Sequence, residues 1–190
     1  EKQPGSSLHL HQSLYNKKTK RNVFYHNNNK ISKIMNYYIG GLQEYTPKLM
    51  TIHAPNVNSY RRLFATWDAP RNTKWGIGNR SCGFRIPSIE EQSMRVENRI
   101  SGSDTNPYLV FAANLAAGYL GIEKKINASP ETKKSTFDDK TSSLPKNIDE
   151  AISLFEMNDE LRKIFGQRFI KTISAIRRVE YQAYLKVISS

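Results

Sequence analysis

The sequence predicts an α+β fold from three observations. Residues 6–14 and 94–100 alternate apolar and polar side chains with the period of two that a strand imposes. Asn106 followed by Pro107 is a helix start, an N-cap and then a proline at the first helical position. These strand-like and helix-like stretches mix without the βαβ alternation of a parallel α/β sheet.

Taken in order, SSLHLHQSL points Leu8, Leu10, Gln12 and Leu14 one way and Ser7, His9, His11 and Ser13 the other. Residues 15–30 are polar, hold three consecutive asparagines and read as a loop. From Ile31 the apolar side chains Ile34, Met35, Tyr38, Ile39 and Leu42 fall at helical spacing. Gly40 and Gly41 either weaken that helix or permit close packing against it. The segment from His53, HAPNVNSYRRLFATWDAPRN, carries prolines and asparagines that discourage regular structure. KWGIGNRSCGFRIP, from Lys74, gives two short strands separated by glycine-containing turns.

In the strand MRVENRI, Met94, Val96, Asn98 and Ile100 share one side and Arg95, Glu97 and Arg99 the other. Charged groups are costly to bury unpaired, so two readings stand: a solvated charge ladder on an edge strand, or the polar face of a site. The helix after Pro107, YLVFAANLAAGYLGI, is apolar nearly all round and reads as buried within a larger protein. Residues 124–147 are rich in Lys, Ser and Thr with two prolines, a flexible connection. Residues 148–190 form a helical tail of two or three amphipathic helices. The last lies near 166–187 and carries Phe169, Ile170, Ile173, Ile176 and Leu185.

At 190 residues and 38% hydrophobic, the chain can bury one core of moderate size. Its net charge of +12 points to an anionic partner, whether phosphate, nucleic acid or an acidic surface. A single cysteine, Cys82, excludes an internal disulfide and suits a reducing, cytoplasmic compartment. No apolar run approaches the roughly 18 residues of a membrane helix. The first residue is Glu1, so the chain reads as a piece of a longer polypeptide.

Two groups carry chemistry. His9 and His11, at i and i+2 on one strand face, either reach one pocket as metal ligands or decorate the surface. A metal needs further ligands, and Glu97 is the candidate from a distant segment. Arg61, Arg62, Arg71, Arg80, Arg85, Arg95 and Arg99 fill the middle of the chain, whereas lysine dominates its ends. The planar guanidinium fork matches carboxylate and phosphate oxygens, which favours organised anion recognition; surface ion pairing is the competing reading.

GSSLHLHQSL, NVNSYRRL, WDAP, NRSCGFRIP, RVENRI and NPYLVFAANLAAGYLGI occur in the order and rough spacing of the glutamine synthetase family. The resemblance spans at least residues 4–123. It implies part of an α+β catalytic domain whose antiparallel sheet forms a funnel-shaped site. It also implies an ATP-dependent ligase that phosphorylates the glutamate side chain and lets ammonia or another amine displace the phosphate. The implied cofactors are ATP with Mg²⁺ or Mn²⁺, and the implied assembly is a homo-oligomeric ring.

Residue by residue, the resemblance implies that His9 and Glu97 ligate the metal nearest the nucleotide. His11, Ser13, Arg85 and Arg95 lie by the nucleotide, and Arg80 contacts the transferring phosphoryl group. Arg62 and Arg99 bind glutamate, with the Gly5 backbone beside it. Asp68 stands where ammonia-using members often carry a glutamate that closes the site and takes a proton from ammonium. That replacement leans away from strict glutamine synthesis, and the wording WGIGNRS and VENRISGSDTNPYL resembles the branch that joins glutamate to polyamines.

The family's remaining carboxylate ligands precede the GS-x-x-H motif, and residues 15–60 offer no substitute. The 190 residues alone are therefore expected to lack ligase activity. Two other classes compete. A basic, tyrosine-rich nucleic-acid module lacks any recognition motif, and no nucleic-acid or membrane partner is expected. A non-catalytic structural family member is opposed by the presence of His9, Glu97, Arg62, Arg80, Arg85 and Arg99.

Overall fold

A computed structural model describes residues 6–28, 30–65, 69–137 and 143–187. Four short strands, β1 (Leu10–Gln12), β4 (Trp75–Ile77), β5 (Phe84–Ile86) and β6 (Val96–Asn98), form one sheet in the order β1-β6-β5-β4. β6 runs antiparallel to both neighbours, while β4 and β5 are parallel. β2 (Tyr25–His26) and β3 (Lys30–Ile31) pair as a separate hairpin.

The alternation in β6 separates the two sheet faces as the sequence implies. Met94, Val96, Asn98 and Ile100 are buried on one side. There the Asn98 amide donates to Asn114 Oδ1 (2.8 Å) on helix α4 (Pro107–Glu123), coupling sheet to helix. The edge-strand reading is overturned: β6 is interior to the sheet, flanked by β1 and β5.

Helix α1 (Lys33–Tyr45) starts where the Ser32 side chain accepts from the Met35 amide. It crosses α4 at close quarters. A Cβ added at Gly121 would stand 2.6 Å from the Gly41 Cα and 2.2 Å from the Tyr37 carbonyl oxygen. Close packing is therefore what Gly41 serves. Asn106 caps α4 through the amides of Tyr108 and Leu109, with Pro107 at its first position. On this helix Tyr108, Phe111, Leu115 and Tyr119 are exposed, a stripe the all-round apolar pattern does not single out.

Three expectations are corrected. The stretch read as a loop before Ile31 contains the β2–β3 hairpin. The segment after His53, expected to be irregular, contains a 3.6-period helix, α3 (Val57–Ala65), after the short helix α2 (Met50–His53). Pro55 and Pro70 lie outside α3, and Tyr60 and Leu63 are buried three residues apart. The stretch read as a flexible connection is tied down in its first half. Trp75 Nε1 donates to Ser129 O (2.7 Å), and the Thr132 amide donates to Trp75 O (2.9 Å), along the free edge of β4.

The tail folds as α5 (Ile148–Glu156), α6 (Asp159–Phe165) and α7 (Gln167–Leu185). Asn147 and Asn158 cap α5 and α6 by accepting from the amides of Glu150 and Leu161. Ile148, Ala151, Ile152, Phe155, Leu161 and Ile170 are buried. Ile176 and Leu185 of the expected apolar stripe are exposed.

Candidate functional site

The sheet register builds the site. His11 of β1 and Arg85 of β5 both lie directly opposite Glu97 of β6, forming one row across three strands. Cross-strand partners stand on the same sheet face, so all three side chains meet above it. His9 and Arg99, each two residues from a member of that row, join it on the same face.

Glu97 is 2% exposed, and each oxygen of its carboxylate accepts from an arginine. Arg85 Nη1 donates to Oε2 (3.0 Å) and Arg99 Nη1 to Oε1 (2.9 Å). His9 Nδ1 lies 3.1 Å from the same Oε1, and His11 Nε2 3.9 Å from it. Burial alone would raise the Glu97 carboxyl. The Arg85 hydrogen bond, and the charge and hydrogen bond of Arg99, overrule burial and hold it below the ordinary carboxylate range. Glu97 is thus an anion near neutral pH.

The His9 pKa also falls, which for an imidazole favours the neutral form. Burial first, then the Arg99 guanidinium, lower its pKa against the opposing pull of Glu97. It is neutral at pH 7, the form that ligates metals. Its Nε2 lies 3.1 Å from Ser7 Oγ, a hydroxyl able to donate or accept and so to serve either tautomer. Arg95 Nε donates to His11 Nδ1 (3.1 Å), which leaves the proton of neutral His11 on Nε2, towards Glu97.

The second ring of the site comes from α3 and the turns. Arg62 Nη2 donates to Ile100 O (2.7 Å), and Arg62 lowers the His9 pKa through space. Arg80 is exposed, and its carbonyl accepts from Arg99 Nε (3.2 Å). Asp104 fixes α3 to the turn after β6, accepting from Ser59 Oγ (2.6 Å) and Asn56 Nδ2 (3.0 Å).

Of the residues expected at the site, His9, His11, Arg85, Arg95, Glu97 and Arg99 come together in this contact network. Arg62 and Arg80 border it. Ser13 is exposed beyond the end of β1. Gly5 and Asp68 lie outside the described residues. Asp104, Ser59 and the buried pair His53 Nδ1 and Ser101 Oγ (2.8 Å) are additions that sequence reasoning missed. Each joins residues more than forty positions apart, and no local pattern announces such a pair.

A divalent cation can be tested against the donor set. His9 Nδ1 and Glu97 Oε1 stand 3.1 Å apart, near the roughly 3 Å between neighbouring ligands on an octahedral ion with bonds of about 2.1 Å. Oε1 carries two lone pairs, one accepting from Arg99 and the other able to face an ion. The pair therefore fits two positions of such an ion. No group of three His, Cys, Asp or Glu able to hold a metal occurs among the described residues.

A buried carboxylate and two imidazoles ringed by guanidinium groups, on an α+β sheet, define a domain suited to oxyanion ligands. The family model described as glutamine synthetase, catalytic domain, matches residues 1–190, and the chain belongs to that family. It is 33% identical to the glutamine synthetase of Methanococcus voltae, covering 97% of this chain and 43% of that protein. It is 31% identical to the gamma-glutamylputrescine synthetase PuuA of Escherichia coli strain K12, covering 100% of this chain and 40% of that protein. Apo GmaS without ligand superposes with a TM-score of 0.86 at 27% identity, over 98% of this chain and 43% of that one. The chain thus spans about two fifths of the length of these relatives. No described helix is long and apolar enough to cross a membrane.

Proposed function

We propose that the intact protein is an ATP-dependent ligase that joins the side-chain carboxylate of glutamate to ammonia through a γ-glutamyl phosphate. One observation carries this reading: a buried, ionised Glu97 held by Arg85 and Arg99 with the His9 imidazole 3.1 Å away. In this reading His9 and Glu97 hold Mg²⁺ or Mn²⁺, which supplies charge neutralisation for the phosphates. Arg85, Arg95, His11 and Ser13 position the nucleotide. Arg80 meets the transferring phosphoryl group, and Arg62 and Arg99 orient glutamate with the Gly5 backbone. Asp68 accepts the proton of the incoming amine. Phosphoryl transfer is mainly positioning and charge stabilisation, which arginine clamps supply without reorganising. Homo-oligomeric rings and a cytoplasmic setting accompany the reading.

A second reading replaces ammonia by a polyamine or monoamine. Its support is the similarity to PuuA along the whole chain and the aspartate at position 68. One assay series on the intact protein serves both. With ATP and Mg²⁺, phosphate release should require glutamate together with ammonia, putrescine or a monoamine, and the effective acceptor selects the branch. Glu97→Gln keeps the side-chain shape and should lower turnover on the order of 100-fold or more, the several kcal/mol a misheld cation costs. No turnover with any acceptor would end both readings.

A further inference from the structure

The loop between β4 and β5 carries Arg80, and a polar network with a buried centre at Asn72, Ser81 and Thr136 holds it from two directions. Towards the site, Arg99 Nε donates to the Arg80 carbonyl (3.2 Å), and the Arg99 amide donates to Gly83 O (2.9 Å). Away from that contact, the loop is tied to residues 132–136. Asn79 Nδ2 donates to the carbonyls of Thr132 and Lys134, both at 2.9 Å. Asn79 Oδ1 accepts from the Ser81 amide (3.0 Å) and hydroxyl (2.7 Å).

Thr136 closes the network. Its amide donates to Ser81 Oγ (2.8 Å) and its hydroxyl to Ser81 O (2.7 Å), while Asn72 Nδ2 donates to that hydroxyl (3.0 Å). Asn72 Oδ1 in turn accepts from the Gly83 amide (3.3 Å). Asn72, Ser81 and Thr136 are 5%, 3% and 6% exposed, so water cannot readily replace these bonds. Buried networks of this kind are rigid when every member is satisfied and lose more than one bond when one member is removed. The two residues beside Arg80 are thereby fixed by a segment some fifty positions later in the chain.

We infer that Thr136 is a positioning residue for Arg80, setting through Ser81 and Asn72 where that guanidinium meets the transferring group. The inference rests on the ligase reading, in which Arg80 faces the phosphoryl group. A threonine that only stabilises the fold would lower the melting temperature. One that aims Arg80 acts on turnover through Arg80 and nothing else.

The experiment uses the intact protein. Thr136→Val removes the hydroxyl at nearly constant volume. It should lower kcat about tenfold, as misplacement of a reacting group does, with KM for ATP and glutamate within about twofold. Thr136→Ser should restore kcat. In an Arg80→Lys background Thr136→Val should add nothing, since residues acting as one unit are not additive. Amide hydrogen exchange at Ser81 and Gly83 should accelerate in Thr136→Val, whatever the activity. Asn79→Ala cuts the other tie and should repeat the kcat loss, which keeps the inference exposed should Thr136→Val not fold.

Unchanged kcat, or an equal loss in the Arg80→Lys background, would overturn the role assigned to Thr136. Unchanged exchange at both amides would overturn its hold on the loop. A wild type without turnover would instead remove the ligase reading and the catalytic half of the inference together, leaving exchange to judge the hold on the loop.

Discussion

Glu97 and His53 are both buried, and their environments settle their charge in opposite ways. Glu97 stays ionised because two guanidinium groups compensate the burial. His53 is 1% exposed with Ser101 Oγ beside Nδ1, and burial drives its pKa down to about 4. The sign of its pH effect follows from linkage. Between the unfolded value near 6.5 and about 4, the unfolded chain binds a proton that the folded chain refuses. Stability from neutral His53 is complete above pH 6.5 and is lost as pH falls towards 4. The loss is on the order of 3 kcal/mol at about 1.4 kcal/mol per unit. Denaturant unfolding at pH 7 and pH 4 should show a smaller acid loss in His53→Asn than in wild type; equal losses would exclude His53 as the source. At this scale the sequence was legible only in part. Alternation placed His9 and His11 together and nominated Glu97 as their partner, because side-chain parity is a local property. The Arg85 register and the Arg95–His11 bond depend on which strands are neighbours, and parity does not carry that. His53 lay in a stretch read only through its prolines and asparagines.

Elements are positioned by a few close approaches that the sequence marks unevenly. The α1–α4 crossing is partly visible in Gly41, but its counterpart Gly121 sits inside an apolar run that does not mark it. With the Tyr37 carbonyl and the Gly41 Cα both inside van der Waals contact of any added carbon, the helices must separate to admit one. Gly121→Ala should therefore destabilise the protein despite its gain in helix propensity, by about 1–3 kcal/mol for overpacking. Thermal unfolding measures it, and an unchanged or higher midpoint would show that the crossing yields freely. α3 was hidden for a different reason. Its flanking prolines dominated the reading of a twenty-residue window, although they fall outside the helix and Val57, Tyr60 and Leu63 keep helical spacing within it. Residues 129–136 depart from the flexible connection their composition predicts, because Lys, Ser and Thr describe a solvated chain in general. Here their backbone carbonyls serve as acceptors for Trp75 and Asn79 at the edge of β4. Composition reports what side chains favour, and this segment is held largely by its main chain.

For the whole molecule, the charge distribution and the ligand count bear on what these 190 residues can do alone. The net charge of +12 and the guanidinium groups around one buried carboxylate give a face that attracts phosphates without help. Binding an anion is easier than catalysing its transfer, however. A divalent ion of the Mg²⁺ or Mn²⁺ kind seeks about six donors in near-octahedral order. Among the described residues His9 and Glu97 stand at ligand spacing, and no third His, Cys, Asp or Glu, His11 at 3.9 Å included, completes a group able to hold a metal. The relatives named above are more than twice as long. On the octahedral requirement the missing donors must come from beyond this set or from the nucleotide and water, and a loosely held ion neither orients the phosphates nor neutralises them steadily. The 190 residues, purified by themselves, should therefore retain ATP weakly. Raising salt from low to physiological ionic strength should weaken that retention, because exposed charges are screened over about 8–10 Å. They should release no phosphate that depends on both glutamate and an amine under conditions where the intact protein does. Release by the isolated chain, dependent on both and abolished by Glu97→Gln, would show that two protein ligands suffice and that this face is a complete catalytic site.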